Sequence, residues 1–168
     1  MSIKKLPTIS FGAGEYVVYP THGVGKVSDI TKQTIAGSEL ELLVVNFDKE
    51  KMTLRIPTSK IQHVGLRKIS DEKTMNEAFN TLKGKAKVRK VMWSRRAQEY
   101  ENKINSGNPV AIAEVVRDLY RNENLAEQSY SERQIYEQAI GRLASEVSIY
   151  SNCSLEDANK KLLDILAK

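Results

Sequence analysis

Near Ser70 the apolar residues of this chain change their period, and that change calls for two kinds of structure in one molecule. Upstream, β-branched and aromatic residues run in short stretches broken by glycine and proline, the pattern of strands. Downstream, apolar residues return every three or four positions, the pattern of helices packed on one face. The chain therefore reads as α+β, with a small β domain over 10–68 and an all-α domain over 69–168.

Within the β part, Glu15-Tyr-Val-Val-Tyr-Pro20 is a strand closed by Pro20 and a turn at Gly23 and Gly25. Residues 26–35 alternate roughly until Gly37. Residues 40–47 are the most apolar and read as a central strand. Asp48-Lys-Glu-Lys51 makes a polar hairpin into Met52-Thr-Leu-Arg-Ile-Pro57, and 61–66 offers a fifth strand. Four or five strands in so short a span suggest an SH3-like or Tudor-like barrel. Pro57 places its strand end at an edge or exit, because proline has no N–H to give a ladder.

The helical part divides into about five helices. Asp71 and Glu72 suit a first turn, with Met75, Ala78, Phe79 and Leu82 behind them at helical spacing. Gly84 interrupts, and a second helix is expected over 88–104, ending at Ser106-Gly107. Asn108 before Pro109 is a cap with proline at the first helical position, followed by Ile112, Val115, Val116 and Leu119. Ser131 and Gln134 have capping-box spacing ahead of Tyr136, Ala139, Ile140, Leu143 and Val147. Ser154 caps a last helix carrying Ala158, Leu162, Ile165 and Leu166.

Charge is unevenly distributed. From Lys83 to Arg96 stand seven basic residues (Lys83, Lys85, Lys87, Arg89, Lys90, Arg95 and Arg96) and no acid, whereas 114–168 holds seven basic and ten acidic residues. Such a run is ordinarily a solvated lysine face. It is also the footprint of phosphate binding, in which each contact releases counterions. With 40% hydrophobic and 28% charged residues the composition is that of a soluble globular protein. No stretch approaches the ~18 apolar residues of a membrane span. Lys4 and Lys5 have no apolar segment behind them, so no secretory signal is expected, and a cytoplasmic location follows.

Catalytic signals are weak. His22 and His63 are the only histidines and Cys153 the only cysteine, so an internal disulfide or thiolate zinc cluster is excluded, and neither metal nor cofactor is expected. Gly23-Val-Gly-Lys26 resembles the end of a phosphate loop, but lacks the first glycine and the following Ser/Thr. The chain is expected not to be an enzyme. An enzyme would need a pocket gathering His22, His63 and carboxylates.

Trp93 stands apart. A lone tryptophan is normally a half-buried packing anchor. Here it follows the acid-free run and precedes Ser94-Arg95-Arg96, an arrangement that suits a minor-groove wedge flanked by phosphate contacts. The residues alone leave both readings open. In the β part, Met52, Leu54 and Ile56 share one strand face and Thr53 and Arg55 the other. An edge strand presenting Arg55 can extend a partner's sheet, although an ordinary half-buried strand has the same pattern.

Taken together, Gly14-Glu-Tyr-Val-Val-Tyr-Pro-Thr-His-Gly23, Arg55-Ile-Pro57, Val64-Gly-Leu-Arg67, Trp93-Ser-Arg-Arg96 and Ala113-Glu-Val-Val-Arg-Asp-Leu119 resemble the CarD/CdnL family of bacterial transcription regulators. The likeness runs in order from about Phe11 to the C-terminus. It implies a Tudor-like N-terminal domain, shared with the transcription-repair coupling factor, that binds the RNA polymerase β subunit. Met52, Thr53, Arg55 and Pro57 would lie on the pairing strand. It also implies a helical domain on promoter DNA at the upstream edge of the melted region, stabilising the open complex with little base specificity. There Trp93 would wedge at the minor groove and Arg95 would contact DNA, with Arg96, Lys90 and Lys87 beside them. Gln33 and Gln98 stand where some relatives carry a polymerase-contacting basic residue and a DNA-contacting lysine. Lys87 and Lys90 are placed to compensate. The motor of the coupling factor is absent. A monomer is expected, and the rival from another class is a basic RNA- or ribosome-associated module.

Overall fold

The computed structural model describes residues 11–121 and 128–167. The lysines at 4 and 5, Ser10 at the expected domain start and Lys168 lie outside the described residues. Five antiparallel strands come first: β1 (Tyr16–Tyr19), β2 (Gly23–Ile35), β3 (Ser38–Phe47), β4 (Met52–Pro57) and β5 (Arg67–Lys68). They are hydrogen-bonded in the order β4-β3-β2-β1-β5. No ladder joins β4 to β5 among the described residues, so a five-stranded sheet is established and barrel closure is not.

The apolar stretch expected at the centre, β3, is an inner strand between β2 and β4, while β2 holds the middle of the order. The expected turn at Gly23 and Gly25 is instead the start of β2, paired with β1. A β-carbon on Gly25 would lie 2.7 Å from Val45 Cγ1 and 2.8 Å from Phe47 Cε1, so glycine lets these two side chains cross the strand. Ala36 and Gly37 both have positive φ, the geometry of a two-residue hairpin turn that follows strand twist.

The expected fifth strand over 61–66 is not one. Thr58–Lys60 form a 3-10 turn and Ile61–Val64 a single helical turn, α1, ended by Gly65 at φ 76°. Pro57 ends β4 and Gly65 reverses the chain, so the apolar residues Ile61 and Leu66 reach the core from a turn rather than along a pleat. The fifth strand follows at Arg67.

The helices are α2 (Glu72–Lys83), α3 (Trp93–Asn105), α4 (Pro109–Leu119), α5 (Tyr130–Ser151) and α6 (Leu155–Leu166). Asp71 caps α2, Asn108 caps α4 with proline following, and Ser154 caps α6, each side chain accepting a backbone N–H. At α5 the cap is Ser129, which accepts from Glu132 N–H, and Ser131 lies one residue inside. The helix expected over 88–104 starts only at Trp93. Residues 85–92 are irregular, because lysines and arginines three and four apart repel along a helix face and Lys87 N–H bonds to Asp118 instead.

Two separate cores result. One gathers Val17, Val27, Leu43, Val45, Phe47 and Ile61 inside the sheet. The other packs Met75, Ile104, Val115, Leu119, Leu143 and Leu162 among the helices. Each such leucine contributes roughly 2 kcal/mol over an exposed one. No helix among the described residues is long and apolar enough to cross a membrane.

Candidate functional site

The irregular basic segment leads into α3. Met92 precedes the helix without a side-chain cap and is 77% exposed. The first turn of α3 holds no acid, so its free N–H groups and the helix dipole present positive potential where Trp93, Ser94 and Arg95 emerge. Lys83, Lys85, Lys87, Lys90 and Arg95 are exposed and make no ion pair among the described residues. Arg89 is the exception, 2.7 Å from Glu99.

Trp93 is half-buried, neither a sealed core residue nor a free one. Its Nε1–H donates to Ser131 Oγ at 3.2 Å, tying it to the start of α5. One ring face leans on Arg96, whose guanidinium carbon lies 5.3 Å from the indole centroid and 5.6 Å from the Tyr100 ring. Arg96 also donates to Tyr100 Oη at 3.1 Å. Trp93, Arg96 and Tyr100 thus form a stack along one face of α3, with Tyr100 buried in the helical core. Arg96 is drawn into this stack, whereas Arg95 points to solvent.

The basic segment is anchored as well as charged. Asp118 on α4, 3% exposed, accepts Lys87 N–H and Arg117 Nε, each at 2.9 Å. Asp118 lies in the 113–119 motif, but no spacing marks it as an anchor for the basic segment, because its partner at Lys87 is a main-chain group that any residue supplies.

The β4 residues stand on the ladder's end strand. Pro57 pairs with Leu42 and Met52 with Phe47, and no strand covers the outer side of β4 among the described residues. Thr53 and Arg55 are exposed while Met52, Leu54 and Ile56 turn inward, as their alternation requires. Thr53 Oγ1 donates to Asn46 Oδ1 at 2.8 Å, which leaves Arg55 as the presented charge. Gln33 is exposed on the β2–β3 ribbon and Gln98 on α3, where it donates to Asn102.

The histidines are apart. His22 Nδ1 is 3.1 Å from Glu50 and its ring packs near Tyr19 and Phe47, whereas His63 is exposed on α1. His22, Glu50, Glu137 and Arg142 line an open hollow from which His63 is absent.

What sequence reading missed is how the two halves meet. Glu146 of α5, 3% exposed, accepts from both terminal nitrogens of Arg67 at 2.6 and 2.8 Å. Arg142, one turn earlier, donates to the carbonyls of Pro20 and Thr21. The residue pairs lie 79 and more than 120 positions apart, beyond any spacing rule.

Comparison with known proteins bears on both halves. Residues 77–163 match the family described as CarD, C-terminal domain, and residues 11–70 match the CarD-like/TRCF RID domain. The chain is similar to a Bacillus subtilis (strain 168) protein named "Putative transcription factor YdeB". They are 29% identical over 139 residues, which cover 83% of this chain and 91% of that one. It is also similar to the 72-residue N-terminal domain of Myxococcus xanthus CarD, solved by NMR. That match is 30% identical and covers 38% of this chain and 89% of the domain, at a TM-score of 0.30.

Proposed function

The chain belongs to the CarD family and is a transcription regulator, and from that premise we propose that it bridges RNA polymerase and promoter DNA to keep the promoter open. The β unit, 10–68, docks on the polymerase β subunit by adding the outer side of β4 to a strand of its partner. Met52, Thr53, Arg55 and Pro57 lie along this contact. The helical unit, 69–168, meets DNA at the upstream edge of the melted region. There the exposed side of Trp93 wedges at the minor groove, Arg95, Lys87 and Lys90 hold phosphates, and Arg96 backs the indole ring. The protein acts in the cytoplasm as a monomer, by binding rather than catalysis.

One observation carries the reading. The chain's lone tryptophan sits half-exposed at an acid-free helix start beside basic residues that make no ion pair among the described residues, within a match to the CarD C-terminal domain. Binding of this kind shifts the closed-to-open equilibrium only by its differential affinity for the two forms. The β-unit contact raises the local concentration of the helical unit, so its own DNA affinity need not be high. A melted junction is recognised by shape and deformability, without a base code.

The test compares Trp93→Ala and Arg55→Glu with the parent on one promoter. Trp93→Ala should bind polymerase as the parent does and shorten open-complex lifetime. Arg55→Glu should lose capture of polymerase. An unchanged lifetime with Trp93→Ala sinks the wedge, and equal polymerase recovery with Arg55→Glu removes the β4 contact.

A further inference from the structure

Arg67 is more than a salt-bridge partner. Its Nη1 and Nη2 grip the two oxygens of Glu146, while Nε and Nη2 donate to the Gly107 carbonyl at 3.2 and 2.7 Å. Ser70 adds its N–H at 3.0 Å and its hydroxyl at 2.6 Å to the same carboxylate. One guanidinium therefore joins β5, the α3–α4 turn and α5. A buried carboxylate is tolerated only when its oxygens are met by donors, and here four donors meet it.

A second clasp lies one helical turn away. Arg142 donates to the Pro20 carbonyl at 3.0 Å and to the Ile104 carbonyl at 3.4 Å, joining the β1–β2 turn to the end of α3. Beside it, a β-carbon on Gly107 would fall 2.9 Å from Pro20 Cα. Backbone thus packs on backbone, and Gly107 also holds φ 71°. α3 is consequently held at both ends, by these contacts behind it and by Trp93 Nε1–H on Ser131 in front.

We propose that the Arg67–Glu146 clasp, with Arg142, is a positioning device that fixes the distance and angle between the outer edge of β4 and Trp93. This rests on the function proposed above. Only residues 69–71 join β5 to α2, a link short enough to limit separation by itself, and its orientation is held where Ser70 bonds Glu146. A tether that can rotate spreads its effective concentration over many wrong poses, whereas a rigid one delivers the indole to a single place. Arg67, Glu146 and Arg142 act through Trp93 and need touch neither polymerase nor DNA.

The experiment uses the full chain in a Cys153→Ser background, with spin labels at Ser59→Cys after β4 and Glu101→Cys on α3. Distance distributions, affinity for polymerase alone and open-complex lifetime are measured for the parent, Arg67→Ala, Arg67→Lys and Glu146→Gln. The parent should give one narrow distribution. Arg67→Ala and Glu146→Gln should broaden it, keep polymerase affinity, and reduce the lifetime gain about tenfold, the scale of a coupling between two sites. Arg67→Lys, which keeps the charge but not the fork, should fall between. Glu146→Gln keeps the buried shape and carries the test should Arg67→Ala lose its helical circular dichroism. Narrow distances in every variant overturn the clasp, and broadened distances with a full lifetime gain overturn its positioning role. Should the parent itself leave lifetime unchanged, the proposed function fails, and the positioning role falls with it.

Discussion

Replacing Asp118 by alanine should loosen the basic segment while leaving its charges in place. The carboxylate is 3% exposed and accepts two N–H groups, Lys87 N–H and Arg117 Nε, both at 2.9 Å. Alanine leaves both donors without an acceptor, and the Arg117 side chain is itself largely buried. Hydrogen bonds to a charged group contribute roughly 1.5–3 kcal/mol each, and losing one partner of a buried pair costs about 3–5 kcal/mol. Water reaching the loop end recovers part of this, so about 3 kcal/mol of global stability should be lost. For a chain of this length that lowers the melting temperature by roughly 6–12 °C. Urea denaturation followed by helical circular dichroism reads the stability, and native-state hydrogen exchange reads the Lys87 amide. Lys87 should lose its protection while amides in the middle of α5 remain protected to the new global limit. A variant within about 0.5 kcal/mol of the parent, with Lys87 still protected, would refute the claim that Asp118 anchors the segment.

Gly25→Ala should destabilise the β unit by about 1–3 kcal/mol, because its methyl would meet Val45 and Phe47 well inside contact distance. A chemical denaturation midpoint equal to the parent's contradicts this. Glu15 is held below the usual glutamate range, first by Gly12 N–H at 2.9 Å and further by Lys68. A lowered folded value means its stabilisation is present above the unfolded carboxylate range and is lost as pH falls through the folded one. Glu15→Gln should therefore be less stable than the parent at neutral pH, with the gap closing below about pH 5. A gap that stays constant from pH 7 to pH 3 argues against it.

The fold was legible where a local rule decides the outcome. The caps at Asn108 and Ser154, the alternation in β4 and the helical stripe through Leu119 are each set by neighbours within a few positions. The capping-box spacing of Ser131 and Gln134 misplaced the start of α5, because the hydroxyl of Ser129 is the one that reaches a first-turn amide, Glu132 N–H. The basic segment misled in the other direction. Its residues favour helix one by one, but together they repel, and Asp118 from α4 takes up the Lys87 amide. The site was half legible. Trp93 and its arginines could be named from composition, yet nothing in the spacing separates Arg95, exposed, from Arg96, folded into the stack with Tyr100. The Arg67–Glu146 contact was invisible, since only the tertiary fold brings residues 79 apart together.

The partial exposure of Trp93 makes the protein its own optical probe. It is the only tryptophan, so nearly all emission excited at long ultraviolet wavelengths comes from one ring. That ring is partly exposed to water and has a guanidinium against it, and both affect the colour and yield of its light. Whatever covers its exposed part should alter the signal, without any label being attached. Titration with short forked or melted DNA can thus report occupancy at the indole itself, while a ligand confined to β4 should leave the spectrum nearly still.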